Sequence, residues 1–241
     1  MSKTISAALF GIALATPMAA QAQSTPAQST GPAPSESGGW SFLFGGATDN
    51  RSKSASKSDG NPYVYGTAEW ESADGLFYAA PGFETIDNSN GAKLELQAYA
   101  GVRPQVAGFD LDLKLAFKQH VDADPGTDDD AWEVTANLSR SIGPASARLQ
   151  VQHTPDGTGS VRDWTWVEGR LGWDFTSRLT GTVAVGRREQ DNSVDYTGWN
   201  AGVNYALNRR TDLDLRWHDT DADVPGEQYK GALVAAVNFS F

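Results

Sequence analysis

Residues 231–241 read GALVAAVNFSF, and their spacing decides the fold. Counted backwards, every second residue is apolar or small: Phe241, Phe239, Val237, Ala235, Leu233 and Gly231, and one further step reaches Tyr229. The residues between them, Ser240, Asn238, Ala236, Val234 and Ala232, are mixed. Successive side chains of a strand point to opposite faces, so this period of two predicts a β-strand lying between two unlike environments.

Working outward, the same alternation recurs from Trp40 onward in twelve segments, roughly 40–48, 62–71, 75–85, 92–103, 108–120, 131–142, 145–154, 163–176, 179–188, 194–207, 210–219 and 228–241. The connections alternate too. Short turns (SADG, PQVA, SIGPA, TSR, NRR) take turns with mostly longer polar loops (DNRSKSASKSDGN, DNSNG, VDADPGTDDD, PDGTGSVRD, EQDNSV, TDADVPGEQ). An even number of antiparallel strands, with short turns at one end and long loops at the other, is the pattern of a closed outer-membrane β-barrel. A soluble calyx has no reason to keep that bias.

The faces agree with the loops. Leu111, Leu113, Leu115 and Phe117 alternate with Asp110, Asp112, Lys114 and Ala116, and Leu213, Leu215 and Trp217 with Asp212, Asp214 and Arg216. On the apolar parity, Phe109, Trp173, Phe175, Tyr205, Phe239 and Phe241 fall at the short-turn ends, and Trp132, Trp217, Tyr229 and Phe117 near the loop ends. Two aromatic girdles flanking a Leu/Val/Ala band predict that the apolar face meets lipid. The other face then lines a lumen, with Glu69, Glu71, Glu84, Glu95, Asp110, Asp112, Glu133, Glu168, Asp174, Asp212 and Asp214 against Lys93, Arg103, Lys114, Lys118, Arg148, Arg170, Arg188, Arg216 and Lys230. The signs nearly cancel, which predicts a narrow lumen bridged by ion pairs and free of any plugging segment. Pro81 lacks a ladder donor, so a register-shifting bulge is expected at Pro81-Gly82.

Ahead of the barrel, residues 1–22 combine Lys3, an apolar run and Ala20-Gln21-Ala22, the pattern of a cleaved secretory signal peptide. Residues 23–39, rich in Pro, Ser, Thr and Gln, read as a disordered linker. The barrel is then residues 40–241. The chain has no cysteine, so no disulfide framework holds it. Nineteen Lys and Arg against thirty Asp and Glu argue against nucleic acid as a partner. The expected surroundings are outer-membrane lipids on one face and small solutes on the other.

Two loops are strongly acidic: Asp122, Asp124, Asp128, Asp129 and Asp130 in one, and Asp219, Asp221 and Asp223 in the other. The first has EF-hand-like offsets out to Glu133, but its glycine is at the fifth position and no helices flank it, so solvated acidic loops are expected, with no metal and no cofactor. Acidic mouths enrich cations, and the channel is expected to be small and weakly cation-selective. His120, His153 and His218 sit near strand ends with no serine level with them on the apolar face, so no catalytic residues are assigned.

The stretch NRSKSASKSDGNPYVYGTAEWESADGLFYA (50–79), with its Asn-Pro, Tyr-Val-Tyr-Gly and Gly-Leu-Phe-Tyr-Ala, resembles the early region of the TorF family of outer-membrane porins. VDYTGWNAGVNYALNRRTDLDLRWHDTD (194–221) resembles that family's late hairpin, and the similarity runs from about Phe44 to Phe241. One departure is local: where the family carries an Asp-Tyr-Arg-aromatic-Arg-Gly stretch, residues 48–56 read TDNRSKSAS. The resemblance implies a porin-like channel exported to the outer membrane of a Gram-negative bacterium. Its terminal Phe241 is similar to the aromatic that barrel assembly machinery reads in outer-membrane barrels. The alternatives are a blocked structural or adhesion barrel acting through its outer loops, and an outer-membrane lipid-acting enzyme.

Overall fold

A strand can cross hydrocarbon only where both of its edges are hydrogen-bonded, and this chain meets that condition by closing its sheet. The computed structural model describes residues 38–87 and 90–241, in which the long strands are β1 (Gly39–Ala47), β2 (Tyr63–Glu71), β3 (Phe77–Thr85), β4 (Leu94–Val102), β5 (Phe109–Val121), β6 (Asp130–Ile142), β7 (Ala145–Thr154), β8 (Trp164–Thr176), β9 (Leu179–Gln190), β10 (Tyr196–Asn208), β11 (Thr211–Thr220) and β12 (Ala232–Ser240). Each pairs antiparallel with its neighbour in the chain, and β12 closes on β1 through Ser240 opposite Leu43 and Val237 opposite Gly46. The result is a closed twelve-stranded barrel. The expected signal peptide, 1–22, and nearly all of the expected linker, 23–39, lie outside the described residues.

The short turns (72–76, 103–108, 143–144, 177–178 and 209–210) share one end with Gly39 and Ser240. The opposite end carries the loops 48–62, 122–129, 155–163, 191–195 and 221–231 and the loop residues 86–87 and 90–93. Among the described residues two register shifts occur, at Asp174/Thr176 and Ala206/Asn208, both beside the tight turns 177–178 and 209–210, where the strands must reverse within two residues. The bulge expected at Pro81 is absent. Thr67 pairs with Gly82 and Trp70 with Ala79 in one unbroken register, and Ala68 and Glu69 simply lack ladder partners across from Ala80 and Pro81. Proline removes one donor, and the sheet tolerates a gap because Pro81 still faces Ala98 on its other side.

The outer surface of the barrel is apolar. Leu113, Leu115, Leu149, Val183, Val185, Leu213 and Leu215 are all exposed, while the alternate positions Glu69, Thr135, Glu168, Asn204, Asp214 and Arg216 are buried inside. That inversion of the usual arrangement is stable only if the outside solvent is hydrocarbon. Aromatic side chains bracket the apolar band. Trp40, Phe42, Phe77, Trp173, Phe175, Phe239 and Phe241 are exposed toward the short-turn end, and Trp132, which stacks at a tilt on Phe117 (5.1 Å between ring centroids), and Trp217 toward the loop end. Phe109 begins β5 at the short-turn end, where the Arg140 guanidinium lies over its ring.

Tyr229 does not belong to that set. The last strand begins at Ala232, so the two-residue count does not carry back through the loop, and Tyr229 is buried edge-on against Tyr196 at 5.2 Å.

Candidate functional site

The lumen is divided by the first loop, which folds inward. Residues 51–52 and 55–56 form a two-rung hairpin whose turn residues, Lys53 and Ser54, both take left-handed φ angles of 55° and 65°. Such a turn suits Asn-Gly; with Lys-Ser it costs of order 1–3 kcal/mol per strained residue and persists only because surrounding contacts hold it. Those contacts are many. Asp49 accepts from Arg51 Nε (2.5 Å), Ser56 Oγ (2.6 Å) and Ser58 Oγ (3.0 Å), tying the loop to itself. Arg51 Nη1 donates to the Lys230 carbonyl (2.6 Å), tying the loop to the last outer loop, and Ser54 Oγ to the Trp199 carbonyl (3.1 Å), tying it to the wall. Lys57 pairs with Glu84 of β3 and with Glu95 of β4 at 2.7 Å.

The wall is shaped to receive this loop. Gly198 on β10 has no Cβ, and one placed there would lie 2.9 Å from the Lys53 carbonyl oxygen and 2.9 Å from Ser54 Cβ, so glycine is what permits the approach. At the outer end, Ala55 packs with Trp164, Trp166, Tyr196 and Tyr229 in a buried apolar cluster. The expectation of an unobstructed lumen is therefore corrected: the residues 48–62, polar enough to read as a solvent loop, occupy it. The contacts that seat the loop are long-range, which is why its local sequence does not announce them.

Lys53 stands where the loop meets the strand charges. Its ammonium lies 3.8 Å from Glu133, 4.2 Å from the Trp164 ring centroid, and near Lys118, Arg188 and Lys57. Burial pushes its pKa down to about 7, with Glu133 opposing the shift and the three neighbouring cations adding to it.

Below the loop is a polar chamber of about 820 Å³, bounded on the outer side by Ser52 and Lys53 and reaching the short-turn rim at Gly75, Gln105, Arg209, Arg210 and Ser240. Its charged lining is Lys53, Arg103, Lys114, Lys118, Arg148, Arg170, Arg209 and Arg210 against Glu69, Glu71, Asp110, Asp112, Glu133 and Asp212. Most of these charges are paired. Arg103 bridges Glu69 (2.9 Å) and Glu71 (3.1 Å), Lys118 holds Glu133 (3.2 Å), and Asp112 accepts from Tyr78 (2.5 Å). Basic side chains outnumber acidic ones along this lining, although the chain as a whole carries a net charge of −11.

Of the residues expected in the lumen, Glu69, Glu71, Arg103, Asp110, Asp112, Lys114, Lys118, Glu133, Arg148, Arg170 and Asp212 line the chamber. Glu95 lies in the wall beside Lys57 and His120, Glu168 is buried behind Arg148 and Arg170, and Asp214 is paired with Arg216. Lys93 is a correction. It precedes β4, escapes the strand alternation, and pairs with Asp87 in an exposed outer loop. Lys230 likewise sits in a loop, against Glu227.

The acidic loop residues are spread along the outer rim. Asp124 accepts from Thr127 through its carbonyl, the Asp128 carbonyl takes the Gly159 amide (2.7 Å), and the Asp129 carbonyl takes the His120 amide (2.6 Å). Asp122 adopts a left-handed turn conformation and Asp130 opens β6. Asp219 caps the Thr220 amide (2.9 Å), Asp221 takes the Thr197 amide (2.6 Å), and Asp223 is exposed. Glu133 points into the lumen toward Lys118, away from this rim, so the EF-hand-like spacing does not become a coordination sphere. Among the described residues, no three acidic or histidine side chains converge as metal ligands. His120 bonds Asn90 (3.0 Å) and Glu95 (3.1 Å), His153 contacts Thr165 Oγ1 (3.1 Å), and His218 is buried in the lumen wall.

Residues 41–239 match the sequence profile of a family described as "Bacterial protein of unknown function (Gcw_chp)", and the chain belongs to that family. No curated protein matches the chain in sequence. In three dimensions it is similar to the KdgM porin (TM-score 0.57, 8% identity, 83% of this chain and 99% of that chain). It is also similar to the NanC porin in a rhombohedral crystal form (0.55, 8%, 84% and 98%) and to the COG4313 outer membrane channel from Pseudomonas putida F1 (0.51, 10%, 88% and 98%). At such identities the likeness establishes a shared fold, the closed antiparallel barrel of outer-membrane channels.

Proposed function

We propose that this member of the Gcw_chp family is a porin-like channel of the outer membrane, passing small polar solutes through a lumen narrowed by its own first loop. The observation that carries the reading is the chamber: about 820 Å³ of charged and polar space inside a barrel whose exterior is apolar. Side chains fill the interior of an eight-stranded barrel, whereas these twelve strands leave polar space inside. The likeness of residues 50–79 and 194–221 to TorF porins points the same way, as does the shared fold of the KdgM and NanC porins. Passive diffusion requires no catalytic residue, and none is assigned. Liposomes reconstituted with refolded protein should swell in iso-osmotic glycine, a small polar solute. Absence of swelling from barrels shown to be folded by heat-modifiable gel mobility would contradict the proposal.

One observation favours a second reading, the blocked barrel acting through its outer loops. The Arg51–Lys57 segment is anchored to at least three parts of the wall at once, and the cluster of Trp164, Trp166, Tyr196 and Tyr229 closes the space around it. In that reading loop 1 never leaves, and removing it creates the only path.

A further inference from the structure

We propose that Arg148 and Arg170 form a binding site for a small hydroxycarboxylate on the chamber wall. The proposal rests on the channel reading for its biological sense but not for its chemistry. The two arginines are direct partners across the β7–β8 ladder, and both line the chamber. Both reach the same oxygen: Arg148 Nη2 lies 3.0 Å and Arg170 Nε 3.1 Å from Glu168 Oε1. One carboxylate therefore serves two guanidinium groups.

What is left over defines the ligand. Arg148 Nε and Arg170 Nη1 are buried donors with no hydrogen-bond partner, and the Arg170 side chain is only 7% exposed. Buried guanidinium N–H groups are rarely left unmatched, because the desolvation cost is not recovered. Glu168 Oε2 is a buried acceptor, also without a partner, and Thr182 Oγ1 on β9 is a further one that both donates and accepts. Two cationic donors beside a free acceptor complement a carboxylate that carries a neighbouring hydroxyl: the carboxylate oxygens take the guanidinium N–H groups, and the hydroxyl donates to Glu168.

Arg216 provides the internal contrast. Its Nε and Nη2 hold Asp214 (both 3.2 Å) and its Nη1 holds Asn200 (2.8 Å), so each of its three nitrogens has a partner. The first loop does not supply the missing partner either: of its two carboxylates, Asp49 is committed to Arg51, Ser56 and Ser58, and Asp59 is exposed in the outer part of the loop.

The test is calorimetric titration of gluconate into the refolded barrel in detergent at low salt, with sorbitol, the same polyol without a carboxylate, as the comparison. Saturable gluconate binding is expected, with sorbitol inert and the affinity lowered about tenfold or more in Arg170→Gln, the loss of one charge-assisted hydrogen bond. Glu168→Gln, which removes the competing carboxylate, should act in the opposite direction and tighten gluconate binding. That variant keeps the test informative should Arg170→Gln fail to fold. No binding to folded protein, equal binding of sorbitol, or binding insensitive to both variants would overturn the proposal. Because no bilayer is involved, a channel that proves closed leaves this measurement intact, and an absent binding site leaves solute permeation intact.

Discussion

Lys53 is the residue through which pH bears on the seat of the first loop. Seated, its pKa is about 7, and an ammonium released to solvent returns to the ordinary 10.5. Between those values the seated loop holds fewer protons than the released one, so seating strengthens as pH rises through that window and is weakest below about 7. Glu133 of β6 opposes this effect, while Lys118 of β5, Arg188 of β9 and Lys57 of the loop itself reinforce it. Conductance is therefore expected to fall as pH is raised from 7 toward 9, and Lys53→Met, which cannot titrate, should flatten the profile. A profile unchanged in Lys53→Met would assign the pH dependence to other groups.

At the scale of the element, the strands obey two rules, alternation across the wall and pairing along it, and each can be tested. Leu113 on β5 faces outward and is exposed, so Leu113→Arg should cost about 2–4 kcal/mol, the range for a cation near the bilayer midplane. Ser139→Arg on β6, which faces the open chamber, should cost far less. Urea unfolding in liposomes reads both, and equal costs would mean that the faces are reversed. Phe241 adds to the closure, its amide and carbonyl exchanging hydrogen bonds with Phe42 (2.9 and 3.0 Å). Deleting Phe241 should reduce the heat-modifiable folded band in outer-membrane fractions, and a band of normal abundance would remove that residue from assembly.

These strands were legible because a period of two is imposed by backbone geometry on every strand that separates lipid from water. Leu111, Leu113 and Leu115 could not have read otherwise. Legibility ended where the geometry did: Lys93 and Tyr229 each lie outside a strand, where parity says nothing about direction. The seat of the first loop was illegible for a different reason. Its contacts are long-range, between Arg51 and Lys230, Ser54 and Trp199, Lys57 and Glu95, and no local pattern in a Ser-rich stretch announces them. Nor could spacing alone show that Arg148 and Arg170 share a single carboxylate oxygen.

Across the whole molecule, charge is distributed unevenly along the barrel axis. The outer loops are acidic and enrich cations at the mouth, whereas the chamber below loop 1 has a basic excess in its lining. The weak cation selectivity expected from the loops is thus opposed from within. Replacing Asp122, Asp124, Asp128, Asp129 and Asp130 by Asn should move the reversal potential toward anions at low salt, and the shift should shrink at high salt as the Debye length shortens. A shift of the same size at both salt concentrations would place those charges in the path itself. On the proposed reading, solutes cross through the lumen and the first loop sets its width. Single-channel recording of refolded wild type beside a variant with residues 51–57 replaced by a short Gly-Ser linker tests it most directly. Small conductance steps are predicted for the wild type and distinctly larger ones for the variant, whereas equal steps, or silence from both in verified folded barrels, would contradict it.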